Sequence, residues 1–176
     1  WLGFALDEGE LQRQLAAQPA IGNWRVRLTL AKSGEFEVQS FVLPAEAGAI
    51  RRARLADVRI DSANPLRRHK TTERQVYDEA LAGLAGESSI FDVVFLNERG
   101  EVVEGARSNV FVDRDGVLLT PPLSSGCLPG VLRAELLDSG RAREAVLRPE
   151  DLASGFWLGN ALRGLIRVEL PAAGAA

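Results

Sequence analysis

The chain has 176 residues, 46% hydrophobic and 26% charged, with a net charge of −3 and a pI near 5.3. That is an ordinary globular composition, long enough to bury a core, and its mild acidity argues against a nucleic-acid footprint. One cysteine, Cys127, and one histidine, His69, exclude a disulfide framework and a His-rich zinc site. No apolar run approaches the roughly 20 residues of a membrane span, and no signal peptide is evident, so a cytoplasmic location without membrane contact is expected.

In chain order, residues 7–17 read as a short amphipathic helix: Asp7 is placed to cap it, and Leu11 and Leu15 lie four apart. Trp24–Leu30 alternates as a strand, Lys32-Ser33-Gly34 turns, and Glu35–Val42 returns to complete a hairpin. Arg54–Ile60 predicts a further short strand, and Asp61-Ser62-Ala63-Asn64-Pro65 is a turn-rich connector. The arginine clusters at 51–54 and 67–68 read as solvated faces.

Glu73–Ala85 predicts a helix with Val76, Ala80, Leu81 and Leu84 on one face and Gly86 as its stop. A β-meander follows. Its strands begin at Phe91, Val102, Ser108 and Val117, with turns at Asn97–Gly100 and Asp113–Gly116. Pro129-Gly130 suits the start of a helix over Leu132–Leu137. Glu144–Leu147 predicts a strand, Pro149–Ala153 a helical turn and Phe156–Leu158 a strand. Gly159–Gly164 reads as a loop, and Pro171–Ala176 as a frayed tail.

Three stretches carry chemistry. Lys70 stands in Arg68-His69-Lys70-Thr71-Thr72, and Glu104 follows 34 positions later in Val103-Glu104-Gly105-Ala106-Arg107-Ser108-Asn109-Val110-Phe111. Next comes Thr120-Pro121-Pro122-Leu123-Ser124-Ser125-Gly126-Cys127-Leu128-Pro129-Gly130-Val131. A lysine amine, a carboxylate beside a strand and a Gly-rich turn opening a helix are the parts a pyridoxal 5′-phosphate (PLP) site needs. The amine forms a Schiff base, the carboxylate pairs with the pyridinium nitrogen, and free backbone N–H groups hold the phosphate.

With the runs H-K-T-T-x-R-x-x-Y, L-P-G-V-x-R-x-x-L-L and N-x-L-R-G, these stretches resemble the class IV PLP-dependent aminotransferases. That family includes branched-chain and D-amino-acid aminotransferases and aminodeoxychorismate lyase. The resemblance runs from about Trp24 to about Leu170 and is nearest to the lyase branch, in the form fused behind aminodeoxychorismate synthase component I.

The resemblance implies an α+β fold of the D-amino-acid-aminotransferase-like kind (fold type IV). Residues 1–62 would be the remainder of a small N-terminal domain, and 63–176 the larger PLP-binding domain. A homodimer acting on a small-molecule substrate is implied, fused to or working with a synthase. Lys70 would be the Schiff-base lysine, partly desolvated so that it titrates near neutrality, and Glu104 the partner of the ring nitrogen. Gly130 and Val131 would present N–H groups to the phosphate. Asn160 and Ala161 match a second phosphate-contacting turn in which the family often carries Thr. Asn109 either lines the cofactor or satisfies backbone in a bulge. Arg107 meets a substrate carboxylate or faces solvent, Tyr77 approaches the cofactor or fills core, and Arg27 is a candidate for the substrate side. Cys127 reads as a small buried residue.

The implied reaction is 4-amino-4-deoxychorismate cleavage to 4-aminobenzoate and pyruvate, in folate biosynthesis. Competing readings are an aminotransferase on a branched-chain or D-amino acid, and a non-catalytic domain supporting a fused synthase. The family normally has roughly 70 further residues ahead of the point matching Trp1, including an arginine that grips the phosphate. The chain shown is therefore expected to be a piece of a longer polypeptide.

Overall fold

A computed structural model describes residues 2–43, 51–87 and 89–171. From residue 172 on, the tail expected to fray lies outside them. The chain divides into two units, Trp1–Gly48 and Ala49–Ala176.

The first unit holds helix α1 (Glu8–Ala16) and a hairpin of β1 (Trp24–Leu30) and β2 (Phe36–Val42). Asp7 caps α1 by accepting from the Glu10 amide at 2.9 Å, and Glu8 and Glu10 in the first turn complement the helix dipole. β1 and β2 pair antiparallel from Trp24↔Val42 to Leu30↔Phe36. Gly34, at φ +96°, supplies the left-handed residue that the turn requires. The apolar positions alternate as expected, yet no described residue of this unit is fully buried, and Leu15 stays 45% exposed.

The second unit is a mixed eight-stranded sheet in the order β5-β4-β3-β10-β9-β6-β7-β8. Its strands are β3 (Arg51–Ile60), β4 (Ile90–Asn97), β5 (Val102–Gly105), β6 (Asn109–Arg114), β7 (Val117–Thr120), β8 (Ala142–Glu144), β9 (Phe156–Asn160) and β10 (Gly164–Glu169). β3 lies parallel to both β4 and β10, and β7 to β8; the other neighbours are antiparallel. Helices α2 (Gln75–Ala82) and α3 (Val131–Asp138) flank the sheet, giving the α+β class the sequence implied.

β4 is apolar almost throughout because both its faces are covered. Val94 and Leu96 enter the main core with Val102, Val110, Phe156 and Leu158. Val93 and Phe95 meet Ile60, Tyr77 and Ala106, with Val76, Ala80, Leu81 and Leu84 of α2 and its end packed against them. A third cluster joins Leu132 and Leu136 of α3 to Phe111, Leu118 and Trp157. Asp115 (φ 54°) and Gly116 (φ 83°) make the two-residue loop between β6 and β7, as an Asp-Gly pair favours.

Three elements differ from expectation. β3 starts three residues early, because Ala53, flanked by arginines, is fully buried between β4 and β10. The strand expected at Glu144–Leu147 falls instead at Ala142–Glu144, where parallel pairing with Leu118–Thr120 is available. β10, not anticipated, follows the short turn after Asn160 and is stabilised by pairing on both edges.

Candidate active site

Glu104 is the last residue but one of β5, after Val102 and Val103, and is 7% exposed. Its Oε1 accepts from the Tyr77 hydroxyl and its Oε2 from the Leu128 amide at 2.9 Å. Burial raises the Glu104 carboxyl above its ordinary value, while the Tyr77 hydroxyl, the Leu128 N–H and the Arg67 and Arg74 guanidiniums pull it back. Burial, and then the facing Glu104 charge, pushes the Tyr77 phenol up, so the phenol keeps its proton and is the donor of the pair. The Tyr77 ring packs edge-on against Phe95 at 4.9 Å, and Phe95 lies directly opposite Glu104 in the β4–β5 register. Arg67 and Arg74 sit over the same ring at 5.2 and 5.3 Å. Arg67 is thus half-buried against the site and does not belong to a solvated face; Arg68 beside it is exposed.

Leu128 is the junction of the site. Its N–H serves Glu104, and its carbonyl accepts from Asn109 Nδ2 at 2.9 Å and from the Gly130 amide at 2.9 Å. Gly130 is the N-cap of α3, and a Cβ there would overlap the Asn109 carboxamide oxygen, so glycine permits β6 to approach the helix start. Because the Gly130 N–H is already used, the donors at this terminus are the first-turn amides from Val131 onward, which have no partner within the helix. Val131 itself is 73% exposed.

The turn after Glu104 is closed by the Gly105 amide donating to the Ser108 carbonyl at 2.7 Å. Beneath it lies Asp92, wholly buried, accepting from the Ser108 hydroxyl at 2.5 Å, the Val93 amide at 2.9 Å and the Arg107 amide at 3.4 Å. Burial raises the Asp92 carboxyl against these donors. Arg107 is exposed, stacks on Phe91 at 5.2 Å and donates to the Phe91 carbonyl. Asn160 donates from Nδ2 to the Arg107 carbonyl at 3.0 Å and accepts from the Leu162 and Arg163 amides at 3.1 and 3.0 Å. The 160–163 turn is therefore tied to the 105–108 turn, while Ala161 points outward, exposed. Cys127 is buried, which pushes its thiol up to about 12 and keeps it protonated.

Glu104, Tyr77, Asn109 and Gly130 are thus joined through Leu128, and Asn160 is joined through the Arg107 backbone to Asp92. Lys70 is wired into neither set: the residue is exposed, in irregular chain between the turn at Pro65–Arg68 and α2, and among the described residues its side chain makes no hydrogen bond or ion pair. Among the described residues Lys70 is thus exposed, where partial desolvation was expected. Arg27 lies on β1 of the first unit, opposite Gln39, and is exposed. Asp92, Arg67 and the Leu128 backbone were not anticipated. Only Asp92 left a signal, as a lone charge in the apolar run Phe91–Leu96.

The model of the amino-transferase class IV family matches residues 2–170. Among curated proteins, a Schizosaccharomyces pombe protein named "Putative aminodeoxychorismate lyase" is 33% identical over 140 residues, covering 74% of this chain and 59% of that protein. A Thermotoga maritima protein named "Probable branched-chain-amino-acid aminotransferase" is 41% identical over 54 residues, covering 31% of this chain and 20% of that protein. Among solved structures, one described as a "Putative amino-acid aminotransferase" from Mesorhizobium loti superposes with a TM-score of 0.87 at 43% identity. It covers 97% of this chain and 84% of that one.

Proposed function

This chain belongs to the class IV amino-transferase family, whose cofactor is pyridoxal 5′-phosphate. From that premise we propose that it is a 4-amino-4-deoxychorismate lyase, releasing 4-aminobenzoate and pyruvate. The observation that carries the cofactor reading is Glu104: a buried carboxyl whose two oxygens each accept from one neutral donor, with lone pairs to spare for one more. The Gly130 cradle and the first-turn amides of α3 suit a phosphate, so the residues present fit the group. When bound, PLP supplies an electron sink for a carbanion at the substrate carbon.

The chain's own residues would divide the remaining work. Lys70 Nζ would hold the cofactor and, when free, would take the proton from the amine-bearing ring carbon and return one to the departing enolpyruvyl group. Glu104 keeps a negative charge beside the ring nitrogen. The N–H groups from Val131 onward, with the turn held by Asn160, receive the phosphate; Asn109 fixes Leu128 and, through it, both ends of the site. Ala161 lies on that second turn. Arg107 is the cation offered for a substrate carboxylate; Arg27 stays a candidate from the sequence alone.

The lyase is favoured because the lyase-named relative matches 74% of the chain, whereas the Thermotoga aminotransferase matches 31%. The second reading, an amino-acid aminotransferase, is favoured by the 43% identity to the Mesorhizobium protein. The test is to give the PLP-loaded protein aminodeoxychorismate and follow 4-aminobenzoate fluorescence. Product that disappears in Lys70→Ala supports the lyase. Absence of product together with conversion of branched-chain or D-amino acids to 2-oxo acids would replace it with the aminotransferase.

A further inference from the structure

Tyr77 sits deeper than a substrate contact needs to. Its hydroxyl is spent on Glu104 Oε1, its ring edge on Phe95, and its faces on Arg67 and Arg74. We propose that Tyr77 is a positioning residue acting through Glu104: its hydroxyl and the Leu128 amide anchor one carboxylate oxygen each, fixing the orientation and the charge of the group. The inference rests on Glu104 being the partner of the ring nitrogen.

The physical reason is competition for one proton. A carboxylate facing a pyridine nitrogen shares a proton with it, and the more basic partner keeps it. Burial makes Glu104 more basic, which would draw the proton off the ring and weaken the electron sink. Each hydrogen bond donated to the ionised carboxylate lowers its basicity and leaves the proton on the ring. The phenol is a suitable donor because burial and the facing charge hold its own proton firmly. The other charged or titratable groups near Glu104 are Arg67 on the turn at Pro65–Arg68, Arg74 at the start of α2 and Cys127 before the junction. The two guanidiniums act in the same direction as Tyr77, and the buried thiol stays neutral.

The experiment compares wild type, Tyr77→Phe and Phe95→Leu. Tyr77→Phe removes only the donor; Phe95→Leu disturbs the ring's packing but keeps the donor. In cofactor-free protein carrying carboxyl-labelled glutamate, with Glu104 assigned by its loss in Glu104→Gln, NMR follows the carboxyl midpoint. It moves up by about one pH unit in Tyr77→Phe and stays in place in Phe95→Leu. In loaded protein with an isotope-labelled ring, the nitrogen resonance of Tyr77→Phe moves toward the unprotonated form, and kcat falls about tenfold with KM within about twofold.

An unmoved midpoint in Tyr77→Phe, or an equal move in Phe95→Leu, overturns the inference. So does a moved midpoint with unchanged ring nitrogen and kcat. Covalent capture of PLP on Lys70 is scored separately. An unlabelled Lys70 rejects the cofactor reading and the positioning role with it, whereas a labelled Lys70 with an unmoved midpoint rejects the Tyr77 inference alone.

Discussion

Glu104 lies under two donors, opposite Phe95 on a paired strand and over a turn pinned by Asp92. Lys70 stands exposed in unpaired chain. Of the two residues proposed for one site, Glu104 is thus held before any ligand arrives and Lys70 is left open. The contrast suits the work proposed for each: a carboxylate that sets the state of a ring must not move, whereas an amine that attaches, leaves and carries a proton must.

The comparison breaks most visibly at Lys70. Lys70→Ala should abolish activity, a loss of at least about a thousandfold, while the unfolding free energy stays within about 0.5 kcal/mol, as for other exposed positions. Denaturant unfolding and product fluorescence on the same preparation check both halves. Glu104→Ala should do the reverse in stability, costing about 2–4 kcal/mol because the Tyr77 hydroxyl and Leu128 amide are left buried without an acceptor; its activity should also be lost. An exposed-type response at Glu104 would end the comparison.

Gly130→Ala sharpens it. The added Cβ collides with Asn109, so roughly 1–3 kcal/mol of stability should go, and titration should show weakened PLP binding. Asp92→Asn should cost about 1–2 kcal/mol by unpinning the 105–108 turn, measured by urea unfolding. The smallest effect concerns acid stability. Arg99, Asn97 and Ser125 hold the Glu101 carboxyl down to about 2 from 4.5. A depressed carboxyl contributes stability above its unfolded value that is lost as pH falls from 4.5 toward 2. Glu101→Gln should therefore flatten the fall of Tm in that window and leave Tm above it slightly reduced.

Much of this was legible in the chain. Periodicity, Asp7 and the Asp-Gly pair placed α1, the first hairpin and the β6–β7 turn, because each rests on local rules. The family motifs brought Glu104, Asn109, Gly130 and Asn160 to attention; the first three share Leu128, and Asn160 holds the Arg107 carbonyl instead. What stayed hidden depends on partners far away in sequence. β10 needed β3 and β9 on its two edges. Arg67 looked solvated until α2 brought Tyr77 beneath it. The Leu128 junction is made of backbone, and no side-chain identity announces it.

The most direct test of the account exploits the scarcity of lysine: Lys32 and Lys70 are the only two in the sequence. The protein is incubated with PLP, reduced with borohydride, digested and analysed by mass spectrometry. The account predicts the cofactor mass on the peptide containing Lys70, absent in Lys70→Ala. Label on Lys32 alone, or on neither lysine, would contradict it.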